Sequence, residues 1–256
     1  MKFIDLHVHS TMSDGTYTPE GIIDLAKKRG LSAVTLTDHD TIDGLKRASQ
    51  EADKAGMNFI DGMEISTAYQ GRKLHIVALG FDPNSDAFKK LYKAIRYNKE
   101  NKMDKVIDKI RDKGIDISLD KVAPFINGSK LEGYAIMRYL VSLHLTDKVQ
   151  TIWDTYLNPS IHELGLDKNI SVEEVVNGVH QAGGVTSLAH FHKLIGLKGM
   201  DRNEQEKSIA YLHNIGLDGM EKYQKLNMQI MSTIEKQSPQ GDRLKEMIQE
   251  KLARYG

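Results

Sequence analysis

The chain contains no cysteine in its 256 residues. Disulfide bonds and thiolate metal sites are therefore excluded, and any bound metal must be held by nitrogen and oxygen donors. A surplus of one charge is also missing, since 35 Lys and Arg balance 35 Asp and Glu. That balance argues against a general grip on duplex nucleic acid, so any basic surface must be local. No apolar stretch reaches membrane-spanning length, and the N-terminus carries no h-region of signal-peptide type. The expectation is a cytoplasmic protein without a membrane partner. Low-complexity tracts and repeats at solenoid periods are absent too.

What is present is histidine, ten residues in all, and their placement is uneven. His7, His9, His39, His75, His190 and His192 stand at or near the ends of short apolar runs. His144, His162, His180 and His213 fall in helical or loop patterns and receive no role.

The first third of the chain alternates strand and helix signals. In "KFIDLHVH" the period of two places Ile4, Leu6 and Val8 on one face, pointing outward, and Asp5, His7 and His9 on the other. "TPEGIIDLAKKRG" reads as a helix with Thr18 as N-cap, Pro19 in the first turn, Ile22, Ile23 and Ala26 as buried stripe, and Gly30 as stop. "LSAVTLTDHD" is a second strand, and a helix near Asp43 to Ala55 follows. "MNFIDGMEIS" and "KLHIVALGF" are further strands carrying Glu64 and His75. This alternation implies parallel pairing through right-handed crossovers.

From 82 to 169 the rhythm changes to long amphipathic helices, one of them the Lys-rich stretch from Ser85 to Gly114. This segment reads as a helical insertion into an α/β unit formed by 1–81 and 170–256. The strand–helix pattern returns at "SVEEVVNGVHQAGG", where Ser171 and Glu174 form a capping box. "GVTSLAHFH" and "GLDGMEKY" are the next strands.

The polar residues His7, His9, His39, Glu64, His190 and His192 recur at the C-terminal ends of strands, the face where α/β barrels build their sites. A single strand-end histidine is more often a structural residue, and Asp40 with Thr41 reads equally well as a helix cap. Repetition at successive strand ends is what favours ligands. Imidazoles with carboxylates and no thiolate suit zinc, manganese or iron, and this set exceeds what one tetrahedral ion needs. Two or three neighbouring ions bridged by a carboxylate such as Glu64 would use it fully.

Taken together, "DLHVHSTMSDGTYTPEGIIDLAKKRGLSAVTLTDHDTIDG", "GMEIS" and "LHIVALGF" resemble the PHP (polymerase and histidinol phosphatase) superfamily. The branch resembled is that of metal-dependent phosphoesterases acting on nucleotides, nucleoside bisphosphates or short oligoribonucleotides. The resemblance implies a distorted (β/α)7 barrel with a helical insertion and two, or up to three, divalent ions (Mn, Zn or Fe). It also implies His7, His9, Asp14, His39, Glu64, His75 and His190 as metal ligands, with Glu64 bridging. Asp14, His39, Glu64 and His190 become the candidate catalytic residues.

Three departures from the family pattern stand out. Where the insertion usually carries a "GRPH"-like turn, this chain has "EGYA", with Gly133 at the arginine position and Ala135 at the histidine position. The usual "AHPGR" is "AHFHK", so His192 is either a substitute ligand or a loop residue, and Lys193 is the candidate phosphate contact. No Asp-x-His follows His190; the chain reaches "EKLARYG", read as a helix, where the closing strand is expected. The alternatives are a truncated chain, ligands supplied by another subunit of a homo-oligomer, or an incomplete first site.

The expected activity is hydrolysis of a small phosphorylated substrate, a nucleotide or nucleoside bisphosphate, by attack of metal-bound hydroxide. Asp5 or Asp38 would orient imidazoles from behind. The alternative is a catalytically impaired PHP-fold module that binds metal or nucleotide as a regulator.

Overall fold

The computed structural model describes residues 3–221 other than 101, 129, 147 and 194. The helix expected at "EKLARYG" and the end of the "GLDGMEKY" strand lie outside the described residues. Two compact units divide the described residues, one comprising those up to Lys93 and those from Ile170, the other Ala94–Asn169.

The first unit opens with β1 (Phe3–Asp5), α1 (Pro19–Lys28), β2 (Leu31–Leu36), α2 (Leu45–Ala55), β3 (Asn58–Tyr69) and β4 (Arg72–Leu79). α3 (Asp86–Glu100) leads into the second unit. α1 begins as its sequence dictates: Thr18 Oγ1 accepts from Gly21 N–H, Pro19 fills the first turn, and Ile22, Ile23 and Ala26 are buried. α2 starts at Leu45 without a side-chain cap. The N-cap of α2 is Gly44, not Asp40, whose Oδ1 accepts from the Ser66 N–H at 2.7 Å.

β1, β2 and β3 pair in parallel, as alternating strands and helices require. β4 does not. It runs antiparallel to β3, from Gly62 opposite Leu79 to Tyr69 opposite Arg72. The reason is the two-residue connection Gln70–Gly71, whose φ values of 46° and 73° form a tight hairpin turn and leave no room for a crossover helix.

After the second unit come β5 (Ile170–Ser171), α9 (Val172–Gln181), β6 (Val185–Leu188), α10 (Arg202–Asn214) and β7 (Gly219–Met220), the helices α4 to α8 lying between. The Ser171–Glu174 capping box is formed on both sides. β6 is antiparallel to β4, β7 is parallel to β6, and β5 adds to β3. The sheet order β1-β2-β3-β4-β6-β7 is that of an incomplete, distorted (β/α) barrel.

Inside this sheet, Leu6, Ile60, Val77, Leu79, Val185 and Ala189 form one buried cluster, with Ile4 packed against it. All come from strands or the residues just beyond them. By the pleat, Glu64 shares a face with Ile60, and His75 with Val77 and Leu79. Ile4 and Leu6 therefore point into the barrel, not outward. His7 and His9 reach the same space because the chain leaves strand geometry after Asp5.

The second unit holds α4 (Met103–Asp112), α5 (Leu119–Val122), α6 (Gly133–Ser142), α7 (Val149–Ile152) and α8 (Asn158–Glu163). The Lys-rich stretch is two helices, since Lys102 adopts a left-handed φ of 60° at the start of α4. Val106, Ile107 and Ile110 pack with Ala135, Ile136 and Leu140 in its core.

Candidate metal centre

The centre is organised around Glu64. β3 pairs in parallel with β2 as far as Asp61 and with antiparallel β4 from Gly62 onward. Glu64 thus lies mid-strand, not at a strand end, yet just past the end of the parallel ladder. A one-residue bridge to His39 fixes that position, and Asp40 N–H donates to the Glu64 carbonyl at 2.9 Å.

The two oxygens of this buried carboxylate face different imidazoles. Oε2 lies 3.0 Å from His7 Nε2, 3.0 Å from His9 Nε2 and 3.2 Å from His39 Nδ1. Oε1 lies 3.0 Å from His75 Nδ1 and 2.8 Å from His190 Nε2. Asp14 adds a carboxylate on one side, with Oδ1 3.1 Å from His9 Nδ1 and Oδ2 3.6 Å from His39 Nε2.

The "MSDG" loop explains how Asp14 arrives. Ser10 N–H, Ser10 Oγ and Ser13 Oγ all donate to buried Asp38, at 2.8, 2.7 and 2.6 Å. Gly15 N–H returns to the Ser10 carbonyl, and a Cβ at Gly15 would stand 2.2 Å from the His9 carbonyl oxygen. Only glycine permits that approach. Asp38 therefore holds the loop, and Asp5 accepts the His7 backbone N–H at 3.3 Å; neither carboxylate orients a ring.

Behind the His7 ring stands Glu221, which the sequence reading did not single out. Glu221 Oε1 accepts from His7 Nδ1, and Oε2 accepts from the His190 backbone N–H at 2.7 Å. Its signal was available, because it is a polar residue directly after a short apolar strand.

The tautomers follow from these partners. A carboxylate behind His7 and the Ile195 carbonyl oxygen 3.1 Å from His190 Nδ1 can only accept. Both rings thus carry their proton on Nδ1 and, when neutral, aim an Nε2 lone pair at Glu64. His7 Nε2 and His9 Nε2 are 3.1 Å apart and face the same oxygen. Two protons there would oppose each other; one cation would satisfy all three donors. Ligands of an ion at about 2.0–2.2 Å stand roughly 2.8–3.6 Å from one another, the spacing seen around Glu64.

Electrostatics agree. Burial disfavours charge on His7 and His9, but Glu221 and Glu64 raise His7 to about 9, and Asp14 and Glu64 raise His9 to about 10. Burial likewise opposes ionisation of Glu64, yet His39, His190, His7 and His75 hold it well below the usual range. Asp14 is lowered against its burial by His39 and His9. Burial pushes His75 down to about 3, so this imidazole stays neutral and one ring nitrogen keeps its lone pair available. A centre that draws protons this strongly to His7 and His9 also draws divalent cations.

Among the described residues, three groups have ligand atoms within 4.8 Å of one another: His7, His9 and Glu64; His9, Asp14 and His39; His39, Glu64 and His75. His190 joins His75 on Glu64 Oε1, at 3.3 Å from His75 Nδ1. His192 is in none of the three groups and packs edge-on against Phe191. Lys193 is exposed, its backbone N–H donating to the His190 carbonyl at 2.8 Å. Ala135 is fully buried in the core of the helical unit and offers no ligand atom.

A barrel sheet with imidazoles gathered on one carboxylate defines the metal-site α/β barrels. More specifically, the chain belongs to the PHP domain family, whose profile matches residues 5–220. It is 31% identical over 229 residues to a 3',5'-nucleoside bisphosphate phosphatase of Chromobacterium violaceum, covering 86% of this chain and 76% of the relative. A 5'-3' exoribonuclease of Haemophilus influenzae is 30% identical over 189 residues, 74% of this chain and 69% of the relative. Among solved structures, a protein from Bifidobacterium adolescentis shares the fold with a TM-score of 0.72 at 22% identity, covering 99% of this chain and 84% of its own.

Proposed function

We propose that this chain hydrolyses a small phosphorylated substrate, a nucleotide or nucleoside bisphosphate, with divalent ions held by His7, His9, Asp14, His39, Glu64, His75 and His190. The broader activity is that of a metal-dependent phosphoesterase, a hydrolase of phosphoester bonds. The observation that carries the proposal is Glu64, whose two oxygens are shared among imidazoles from five chain positions.

Divalent ions in such a cradle supply Lewis acidity toward phosphoryl oxygens and bring water toward ionisation at neutral pH. The residues supply the rest. Glu64 fixes the spacing between the Oε2 and Oε1 sides. Asp14 and His39 form an edge open to solvent on the Asp14 side, where a phosphate can enter. Lys193 is positioned by the His190 carbonyl and is the nearest candidate in this loop for a point charge on phosphate.

The substrate class is supported by the named activities of the relatives, and manganese, zinc and iron all suit the donor set. The cysteine-free composition fits a cytoplasmic setting. No described helix is long and apolar enough to cross a membrane. The second reading, a regulatory module that binds metal or nucleotide without turnover, is favoured by Ala135, which provides no ligand from the insertion.

Release of phosphate from a 3',5'-nucleoside bisphosphate and a short oligoribonucleotide, with Mn²⁺ and with chelator, tests the first reading. Chelator-sensitive turnover supports it. No turnover with metal bound, and His39→Ala indistinguishable from wild type, supports the second.

A further inference from the structure

We propose that Glu221 is the positioning residue of the centre, a single carboxylate that sets both the His7 ring and the His190 backbone. The inference rests on the reading that the Glu64 cluster holds metal.

Its place is dictated by strand pairing. β7 pairs with β6 through Ser187 opposite Gly219 and Leu188 opposite Met220. Glu221 N–H continues the ladder to the Leu188 carbonyl at 2.9 Å, which brings the residue beside the turn that bears His190. The side chain then spans two elements. Oε1 accepts a hydrogen bond from His7 Nδ1–H, in the segment after β1, and Oε2 accepts one from the His190 backbone N–H, in the segment after β6.

Both contacts correct something costly. His190 has a φ of +26°, a conformation that L side chains rarely adopt. Its backbone is held there by Glu221 on the N–H side and by Lys193 N–H on the carbonyl side. His7 needs its proton on Nδ1 if Nε2 is to face Glu64 Oε2, and an acceptor behind the ring is what selects that tautomer. The result is a double clamp. Glu64 touches His7 with one oxygen and His190 with the other from the front, and Glu221 does the same from behind. Glu221 belongs to none of the three candidate ligand groups and touches His7 Nδ1 and the His190 N–H, so it acts through these residues.

The test uses the full chain stripped of metal, with Zn²⁺ alone as the probe. Affinity is compared by calorimetry for wild type, Glu221→Gln and Glu221→Ala, and ring ¹⁵N spectra locate the His7 proton. We expect Glu221→Ala to bind its tightest ion about 10–100-fold more weakly. Glu221→Gln, which keeps one acceptor oxygen, should lose less. In zinc-loaded wild type the His7 proton should reside on Nδ1. Unchanged zinc affinity in Glu221→Ala overturns the proposal, as does a wild-type His7 proton on Nε2, which decides the matter even where the variants do not fold. Wild type that binds no zinc overturns the metal reading itself, a result distinct from wild-type binding with an unaffected variant.

Discussion

His75 Nδ1 and His190 Nε2 come from positions 115 residues apart and meet at 3.3 Å, both facing Glu64 Oε1. No local sequence preference produces that meeting. It is made by antiparallel pairing of β4 with both β3 and β6, and it gives the centre its second side.

Glu64 is the residue on which both sides depend. Glu64→Gln should remove the charge that gathers the imidazoles while keeping the volume. Bound divalent metal should fall toward background, and phosphoester turnover should drop at least about 100-fold, the loss that even outer-shell changes reach. Metal analysis and a steady-state assay check this.

Asp218 predicts a stability effect with a definite pH sign. Its Oδ2 accepts from His180 Nε2 at 2.7 Å, Thr186 N–H at 2.9 Å and Thr186 Oγ1 at 3.0 Å. Burial raises its pKa, but these partners hold it below the ordinary value. A carboxylate with a lowered folded pKa stabilises fully above its unfolded pKa of about 3.9 and loses that contribution as pH falls through the folded value. Asp218→Ala should cost about 2–3 kcal/mol at neutral pH and distinctly less in strong acid. Urea melts at both pH values measure it.

In the helical unit, Arg96 and Glu132 are 5% and 6% exposed and pair at 2.9 Å, with Glu100 on the other guanidinium edge at 2.7 Å. Glu132→Ala should destabilise by less than about 3–5 kcal/mol, the cost of a fully stranded buried charge, because Glu100 still pairs with Arg96. Replacing the pair together, Arg96→Met with Glu132→Leu, should recover most of that loss in thermal melts.

Ala135→His restores the residue type that the family pattern has at this position, but the site is already packed. Ala135 is fully buried among Val106, Ile107, Ile136 and Leu140. The expected outcome is a loss of at least about 2 kcal/mol from overpacking and an unpaired imidazole, without a gain in metal stoichiometry. Denaturant melts and metal analysis together check both halves.

The parts of the fold legible in sequence are those with short-range causes. Thr18 before Pro19 and the Ser171–Glu174 box mark helix starts through bonds within four residues. His7, His9, His39 and His190 stand just past apolar runs, so their common location follows from strand direction. What stayed hidden depends on tertiary pairing. Gln70–Gly71 lacks the Asn or Asp usual in so tight a hairpin, so the antiparallel β4 went unseen. Asp40 looked like a helix cap because its partner, Ser66, lies on another strand. Glu221 lies within the "GLDGMEKY" strand reading, but its partners, His7 and His190, lie on other elements, so its role is set by tertiary pairing.

The most direct test of the central claim is the metal content of the purified chain by elemental analysis after exhaustive dialysis. The purified chain should hold at least one Mn, Fe or Zn, lost on chelation and regained on adding the ion. Protein that holds none of these above background, and takes up none on titration, would contradict it.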